Sequence, residues 1–145
     1  MKNIYRIFTI LFVTMIVTSC STDYDEINSD HSDIVGFTLS VTLELPLSVN
    51  NPEINFPLPY FVSSASSSER TFHVIVVADE TEVPAESYSF DGTVVVPANE
   101  RSGTILFTAL NNGLTNDYAP LVLAFEEAPG ISSGTRMNIG LRTND

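Results

Sequence analysis

Few side chains in this sequence have the types and spacing that catalysis needs. The two histidines, His31 and His73, have no partner at a recognisable metal-ligand spacing. A nucleophilic serine needs a base within hydrogen-bond reach and a third group that orients that base. His73 could be such a base, but a strand histidine with a satisfied hydrogen bond is the simpler alternative. The adjacent carboxylates Glu126 and Glu127 would point to opposite faces of a strand, so the sequence predicts no enzyme.

The single cysteine has a clearer chemical context. Cys20 follows an apolar run over residues 7–17, and Lys2 and Arg6 precede that run. The run is shorter than the ~20 apolar residues that a membrane-spanning helix needs, so it has the layout of a cleavable signal peptide. A lone cysteine also excludes an intramolecular disulfide.

The four residues Val17-Thr18-Ser19-Cys20 resemble the lipobox of bacterial lipoproteins. In that class the signal peptide, here residues 1–19, is removed, and the new N-terminal cysteine receives acyl chains such as palmitate. Several acyl chains make such an anchor stable where a single chain would be marginal. The resemblance implies membrane attachment through a lipid on Cys20, and the alternative is an ordinary signal peptide with a stray thiol.

Residues 20–33 are short, acidic and without apolar periodicity, which predicts a flexible tether after the lipidated cysteine. The stretch is similar to the acidic segment of Bacteroidota lipoproteins that reach the outer face of the outer membrane, although a plain solvated linker is the alternative. Ser21 follows the cysteine, which in the enterobacterial sorting rule favours the outer membrane. We therefore expect an outer-membrane lipoprotein exposed at the cell surface.

The charge of the chain excludes one class of partner. The sequence has 6 basic residues, and without Lys2 and Arg6 the remaining 4 arginines face 18 acidic residues, a formal charge of −14. Phosphate contacts dominate nucleic-acid affinity, and so few cations cannot neutralise a row of phosphates. The same charge would repel anionic headgroups. We therefore expect no nucleic-acid partner, and a membrane contact that depends on the lipid.

Residues 34–145 are long enough for one domain, and period-two alternation dominates them. Apolar and polar residues alternate from 34 to 45, and later apolar runs are separated by turn signals such as Asp91-Gly92 and Pro129-Gly130. No ten-residue stretch has helical periodicity. The pattern predicts an all-β fold, a single antiparallel immunoglobulin-like β-sandwich of about seven strands.

Local predictions follow for the first half of this domain. Residues 34–45 are predicted as one strand that Pro46 ends. Pro52, Pro57 and Pro59 interrupt the next segment and suit edges, bulges or loops, because proline cannot donate a ladder hydrogen bond.

Two later segments also carry definite predictions. Residues 72–78 are apolar on both faces, which favours a central strand. Residues 132–134, with two serines and a glycine, are predicted as part of a turn before the last strand.

Residues 86–107 resemble the centre of a Calx-beta domain. That family places an acidic residue and a tyrosine before a glycine, then a short strand, Pro-Ala-Gly-Glu and a strand of Thr-Ile-x-Val type. The matching residues here are Glu86, Tyr88, Gly92, Pro97-Ala98-Asn99-Glu100 and Thr104-Ile105. Asn99 replaces the family glycine, and asparagine is the non-glycine residue that best tolerates a left-handed turn conformation. The resemblance extends over about residues 72–127 and implies a Calx-beta-like fold, which is also similar to small immunoglobulin-like domains of unknown function in Bacteroidota surface lipoproteins.

Calx-beta domains of exchangers hold calcium with acidic loops, since calcium takes about six to eight oxygen ligands. The resemblance therefore implies candidate calcium ligands, which are Asp79, Glu80, Glu82, Glu86 and Asp117, with Glu126 and Glu127 as further oxygens. Where the family has paired aspartates after the Thr-Ile strand, this chain has Asn111-Asn112, which removes charge from such a site. The alternative is that the loop acids serve solubility.

A glycan ligand would need an aromatic platform, and the chain has no tryptophan. Most aromatic residues of a small sandwich fill its core. Tyr118 is predicted in a turn between strands and is the aromatic residue least explained by core packing. It is therefore the candidate ligand platform.

These residues favour a non-catalytic outer-membrane lipoprotein, an interaction or spacer module of a cell-envelope assembly. The alternative is a direct ligand-binding module, for glycan or calcium, that uses loops at one end of the sandwich.

Overall fold

The computed structural model describes residues 32–145. The predicted signal peptide, Cys20 and His31 lie outside the described residues. Within them the first strand begins at Asp33, one residue before the predicted start of the domain. The strands are β1 Asp33–Phe37, β2 Leu43–Leu47, β3 Glu53–Val62, β4 Arg70–Val76, β5 Tyr88–Phe90, β6 Thr93–Val96, β7 Ser102–Leu110, β8 Ala119–Phe125, β9 Ile131–Ser133 and β10 Met137–Thr143. Two short 3₁₀ helices, Ala78–Glu80 and Ala85–Ser87, separate β4 from β5. Over residues 32–145, no helix is long and apolar enough to cross a membrane.

Two five-stranded sheets face each other. One has the strand order β5-β7-β3-β1-β9 and the other β2-β10-β8-β4-β6. The all-β sandwich is confirmed, but the predicted count of about seven strands is wrong. Three strands account for the difference: β2 is separate from β1, and β5 and β9 have only three residues each. Three residues are too few for alternation to distinguish a strand from a turn.

Two strand pairs are parallel, whereas the sequence predicted an antiparallel sandwich. β1 pairs with β9 in parallel, with Val35 opposite Ser133, and β10 pairs with β2 in parallel, with Leu141 opposite Leu45. Alternation reports the face on which a side chain lies but not the direction of the neighbouring strand. The sequence pattern therefore could not distinguish the two pairings.

The alternating segment 34–45 changes sheets instead of forming one strand. β1 ends at Phe37 in the first sheet, and β2 begins at Leu43 in the second. Val41 lies in the crossing and is 68% exposed, although alternation assigned it to the core. Pro46 lies inside β2 rather than ending a strand. It is tolerated there because β2 is an edge strand.

Pro57 and Pro59 lie within β3, the third of five strands, so the predicted interruption is wrong. The carbonyl of Pro59 accepts a hydrogen bond from the backbone N–H of Thr38 at 3.0 Å, just past the end of β1. In a strand the N–H and C=O of one residue point to the same side, so the missing donors of both prolines would face the side where β1 has ended. Pro57 therefore removes an N–H group that has no acceptor on β1, whereas Pro59 leaves one bond of its pair with Thr38 unmade.

The core lies between the sheets and is built from inward residues of both. Phe37 and Phe125 pack with ring centroids 5.1 Å apart, and Tyr60 meets Phe125 edge-on at 5.9 Å. β4 has a neighbour on each side, as predicted. However, Ile75 is 43% exposed, so only one face of β4 is buried.

An ion pair at one end of the sandwich, the Arg70 clamp, ties the first strand to two turns. Nη1 of Arg70 lies 2.8 Å from Oδ2 of Asp33. Nη2 of Arg70 donates to the carbonyls of Ser64 at 2.9 Å and Glu100 at 3.3 Å. The Arg70 side chain is only 15% exposed, so these bonds are largely shielded from water.

The turn between β6 and β7 has the backbone conformation predicted from the residue type. Asn99 has a φ of 66°, in the left-handed region that asparagine tolerates. Its N–H donates to the carbonyl of Ser66 at 2.7 Å, which holds the turn against the one between β3 and β4.

Candidate functional site

The predicted calcium ligands lie on the surface. All five, which are Asp79, Glu80, Glu82, Glu86 and Asp117, are exposed. Glu80 accepts a hydrogen bond from Nη1 of Arg136 at 2.6 Å. Within residues 32–145, no three carboxylate, imidazole or thiol side chains converge in a way that could hold a metal ion.

Backbone hydrogen bonds hold the segment that carries most of these acids. Val77 donates to the carbonyl of Val122 at 2.9 Å, and Glu82 donates to the carbonyl of Pro120 at 2.8 Å. The hydroxyl of Thr81 accepts from the N–H of Val122 at 3.1 Å. These bonds fix the segment beside β8 and leave its carboxylates in solvent.

The candidate base His73 lies on β4 with its side chain exposed. Its carbonyl accepts a hydrogen bond from the N–H of Glu126 at 2.8 Å. Glu126 and Glu127 follow the end of β8 at Phe125, so they lie in a connection rather than on a strand as the sequence analysis assumed.

The candidate platform Tyr118 immediately precedes β8 and is 38% exposed. It follows Asp117 in a connection, as the sequence predicted, but its ring leans over β10 on the outer face of the sheet. A methyl group at Gly140 would lie 3.2 Å from Cδ1 and 3.6 Å from Cγ of Tyr118, so one edge of the ring rests in the space that the glycine leaves. The guanidinium carbon of Arg142 lies 4.7 Å from the ring centroid, a cation–π contact.

Arg142 lies on β10 opposite Pro46 of β2. Its Nε is buried and has no hydrogen-bond partner among residues 32–145. The contact with the Tyr118 ring offsets part of that cost and holds the ring in one orientation.

A groove of about 240 Å³ lies beside the Tyr118 ring. Its floor is formed by outward residues of β8 and by Gly140, and polar side chains stand around it. The lining residues are Thr42, Glu44, Tyr118, Ala119, Pro120, Leu121, Val122, Asn138, Ile139 and Gly140. Arg142 contacts the ring but does not line the groove.

The sequence analysis named Tyr118 as a candidate platform but named none of the residues beside it. Glu44, Asn138 and Gly140 come from β2 and β10, and they meet because the pairing of these strands places Gly140 opposite Glu44. Asn138 lies two residues before Gly140 on the same outward face. The only sequence signal was polar alternation at Glu44 and Asn138, which is common to every solvent-facing strand.

A second cleft, of about 520 Å³, opens between the edge strand β6 and the part of β7 that β5 leaves uncovered. Its rim includes Leu106, which is 62% exposed. Tyr60 also lines it, and burial raises the pKa of the Tyr60 hydroxyl. The cleft brings together hydroxyl and aliphatic groups without a charged cluster.

This sandwich is similar to solved structures in fold. A protein of unknown function from Bacteroides ovatus superposes with a TM-score of 0.61 at 14% identity, over 75% of this chain and 44% of that chain. The apo-form Calx CBD1 domain superposes with a TM-score of 0.55 at 8% identity, over 79% of this chain and 100% of that domain. The fold is Calx-beta-like.

A candidate carbohydrate binding protein from Bacteroides ovatus shares the Calx-beta-like fold with a TM-score of 0.51 at 16% identity, over 74% of this chain and 36% of that chain. The chain thus spans less than half the length of both Bacteroides ovatus proteins. No protein-family model matches the sequence, and no curated protein matches it either. At such identities the similarity establishes the fold, which by itself does not define a function.

Proposed function

We propose that this chain is a non-catalytic lipoprotein that is anchored to the outer membrane through Cys20 and exposed at the cell surface. Its Calx-beta-like domain serves as an interaction or spacer module of a cell-envelope assembly. The lipobox-like residues before Cys20 and the acidic stretch after it support the anchor.

The observation that carries this proposal is where the folded domain begins. β1 starts at Asp33, and the Arg70 clamp fixes that residue to two turns. Asp33 lies 13 positions after Cys20, and an extended chain of that length spans at most about 45 Å. A lipid on Cys20 would therefore keep a rigid sandwich close to the membrane surface, as a spacer or docking module requires.

The anchor is tested by labelling cells with radioactive palmitate. We expect label in the wild-type chain and none in Cys20→Ser, with Ser19→Ala as a control that keeps the label. Digestion of the chain by protease added to intact cells is expected for surface exposure. An unlabelled wild-type chain, or a chain that only lysed cells expose to protease, would contradict the corresponding part of the proposal.

Direct ligand binding is the second candidate function, and the groove beside Tyr118 favours a glycan. The ring is exposed, it has defined contacts, and polar side chains stand next to it. The candidate carbohydrate binding protein with the same fold agrees with this possibility.

Calcium stays a prediction from the resemblance to Calx-beta domains. A calcium site would stabilise the native chain by RT ln(1 + [L]/Kd), so thermal unfolding with millimolar calcium tests it. Magnesium at the same concentration is the matched control, since it screens charge equally. A shift specific to calcium that is lost in Asp79→Asn with Glu82→Gln would support binding; equal shifts with both ions would oppose it.

A further inference from the structure

The groove beside Tyr118 combines the two kinds of surface that a sugar ring needs. Tyr118 offers an aromatic surface to which the C–H face of a pyranose can pack. Asn138 supplies both a hydrogen-bond donor and an acceptor, and the carboxylate of Glu44 accepts hydrogen bonds from hydroxyl groups. Thr42 adds a hydroxyl on the same rim.

The tyrosine ring is held in place before any ligand arrives. Its edge rests on Gly140, and the guanidinium of Arg142 lies 4.7 Å from its centroid. A ring that is already fixed loses little side-chain entropy on binding, which favours affinity. Tyr118 lines the groove and is 38% exposed, so part of its surface is open to a ligand.

Size and charge define the class of ligand. At about 240 Å³ the groove is smaller than a site for a drug-sized ligand, which has a volume of roughly 300–1,000 Å³. It therefore fits one sugar unit of a chain whose neighbouring units stay in solvent. Glu44 on the rim and a formal charge of −12 for the whole chain disfavour acidic sugars.

We propose that this groove binds a neutral sugar unit of a polysaccharide, with the sugar ring against Tyr118 and its hydroxyls hydrogen-bonded to Asn138 and Glu44. Gly140 and Arg142 act as positioning residues that hold the tyrosine ring. This inference deepens the second candidate function, direct ligand binding, and depends on it.

Electrophoresis of the detergent-purified full chain through native gels that contain starch, a mixed-linkage β-glucan or mannan tests the proposal. We expect retention by at least one of these neutral polysaccharides. Tyr118→Ala is expected to weaken the retention about tenfold, since aromatic anchors dominate the affinity of a binding site. Leu106→Ala, an exposed apolar residue of the other sheet, is the matched control and should be retained like the wild type.

Arg142→Met tests the positioning role without changing a residue that lines the groove. The substitution removes the guanidinium that lies over the Tyr118 ring, so retention should fall, by less than in Tyr118→Ala, while the unfolding temperature stays near that of the wild type. Migration of the wild type unchanged in all three gels, or equal losses in Tyr118→Ala and Leu106→Ala, would overturn the sugar site. Either outcome would leave the lipid-anchored spacer intact, because palmitate labelling and surface protease access test that proposal separately.

Discussion

Two arginine–carboxylate pairs show how burial determines the contribution of a single residue to stability. In the Arg70–Asp33 pair the side chains are 15% and 26% exposed, whereas in the Arg136–Glu80 pair both are about half exposed. We expect Arg70→Met to lower the free energy of unfolding by about 2 kcal/mol, because it removes several hydrogen bonds from a charged donor. Arg136→Met should cost less than ~1 kcal/mol, as exposed pairs do. Urea unfolding of both variants measures the difference, and equal losses would contradict the structural role of the clamp.

Asp145 gives the domain a pH-dependent contact. Its carboxylate accepts hydrogen bonds from the N–H of Val49 at 2.9 Å, the hydroxyl of Thr143 at 2.8 Å and the amide of Asn111 at 2.8 Å. The hydrogen bond from Val49 lowers the pKa of Asp145 most, and the bonds from Thr143 and Asn111 lower it further, so that it lies below its ordinary value of 3.8. Because the folded pKa is the lower one, this stabilisation is present above the unfolded pKa and is lost as the pH falls through the folded pKa.

Thermal unfolding of Asp145→Asn across the acidic range checks that dependence. The variant should unfold at a lower temperature than the wild type near neutral pH. The difference should disappear once the pH is below the folded pKa of Asp145. A difference that stays constant from neutral to strongly acidic pH would show that the carboxylate charge is not the cause.

At the scale of the elements, the turn between β6 and β7 depends on one backbone conformation. Asn99 has a positive φ, which a β-branched residue adopts only at a cost of about 1–2 kcal/mol. Asn99→Val should therefore destabilise the domain by that amount, while Asn99→Gly should keep or slightly raise its stability. Chemical unfolding of the two variants tests the turn, and equal effects would mean that the Asn99 side chain, rather than its φ, matters.

The elements also show which features the sequence could predict. The left-handed turn at Asn99 and the strands β7 and β10 were predictable because residue type or alternation determines them locally. The crossing at residues 38–42 was not predictable, since alternation continues through it while the chain changes sheets. Pro57 was misleading for a related reason: its effect depends on where β1 ends, and the local sequence does not report that.

The candidate site was also only partly predictable from the local sequence. Tyr118 became a candidate because it is the aromatic residue that core packing explains least, and its role as a platform stays a prediction. Its neighbours depend on the register in which β2 and β10 pair, with Gly140 opposite Glu44. A shift of that register by one residue would move Glu44 to the inner face. The groove is therefore a property of pairing that no local pattern reveals.

At the scale of the whole molecule, excess negative charge opposes the compact state. The chain has 18 acidic and 6 basic residues, so the carboxylates repel one another across the surface. Sodium chloride screens this repulsion, with a Debye length of about 10 Å at 0.1 M salt. We expect the unfolding temperature to rise as sodium chloride is added at neutral pH. A falling unfolding temperature would mean that the two ion pairs outweigh the general repulsion.

The Arg70 clamp also determines how a mechanical load would enter the domain. A pull on the chain before Asp33 that runs along the axis of β1 loads the hydrogen bonds of this strand to β3 on one side and to β9 on the other. Such a load shears both ladders at once instead of breaking their hydrogen bonds one after another. Arg70 holds Asp33, the residue at which the load enters the strand. A domain tethered through its N-terminal side would thus resist drag at the point where its tether meets the fold.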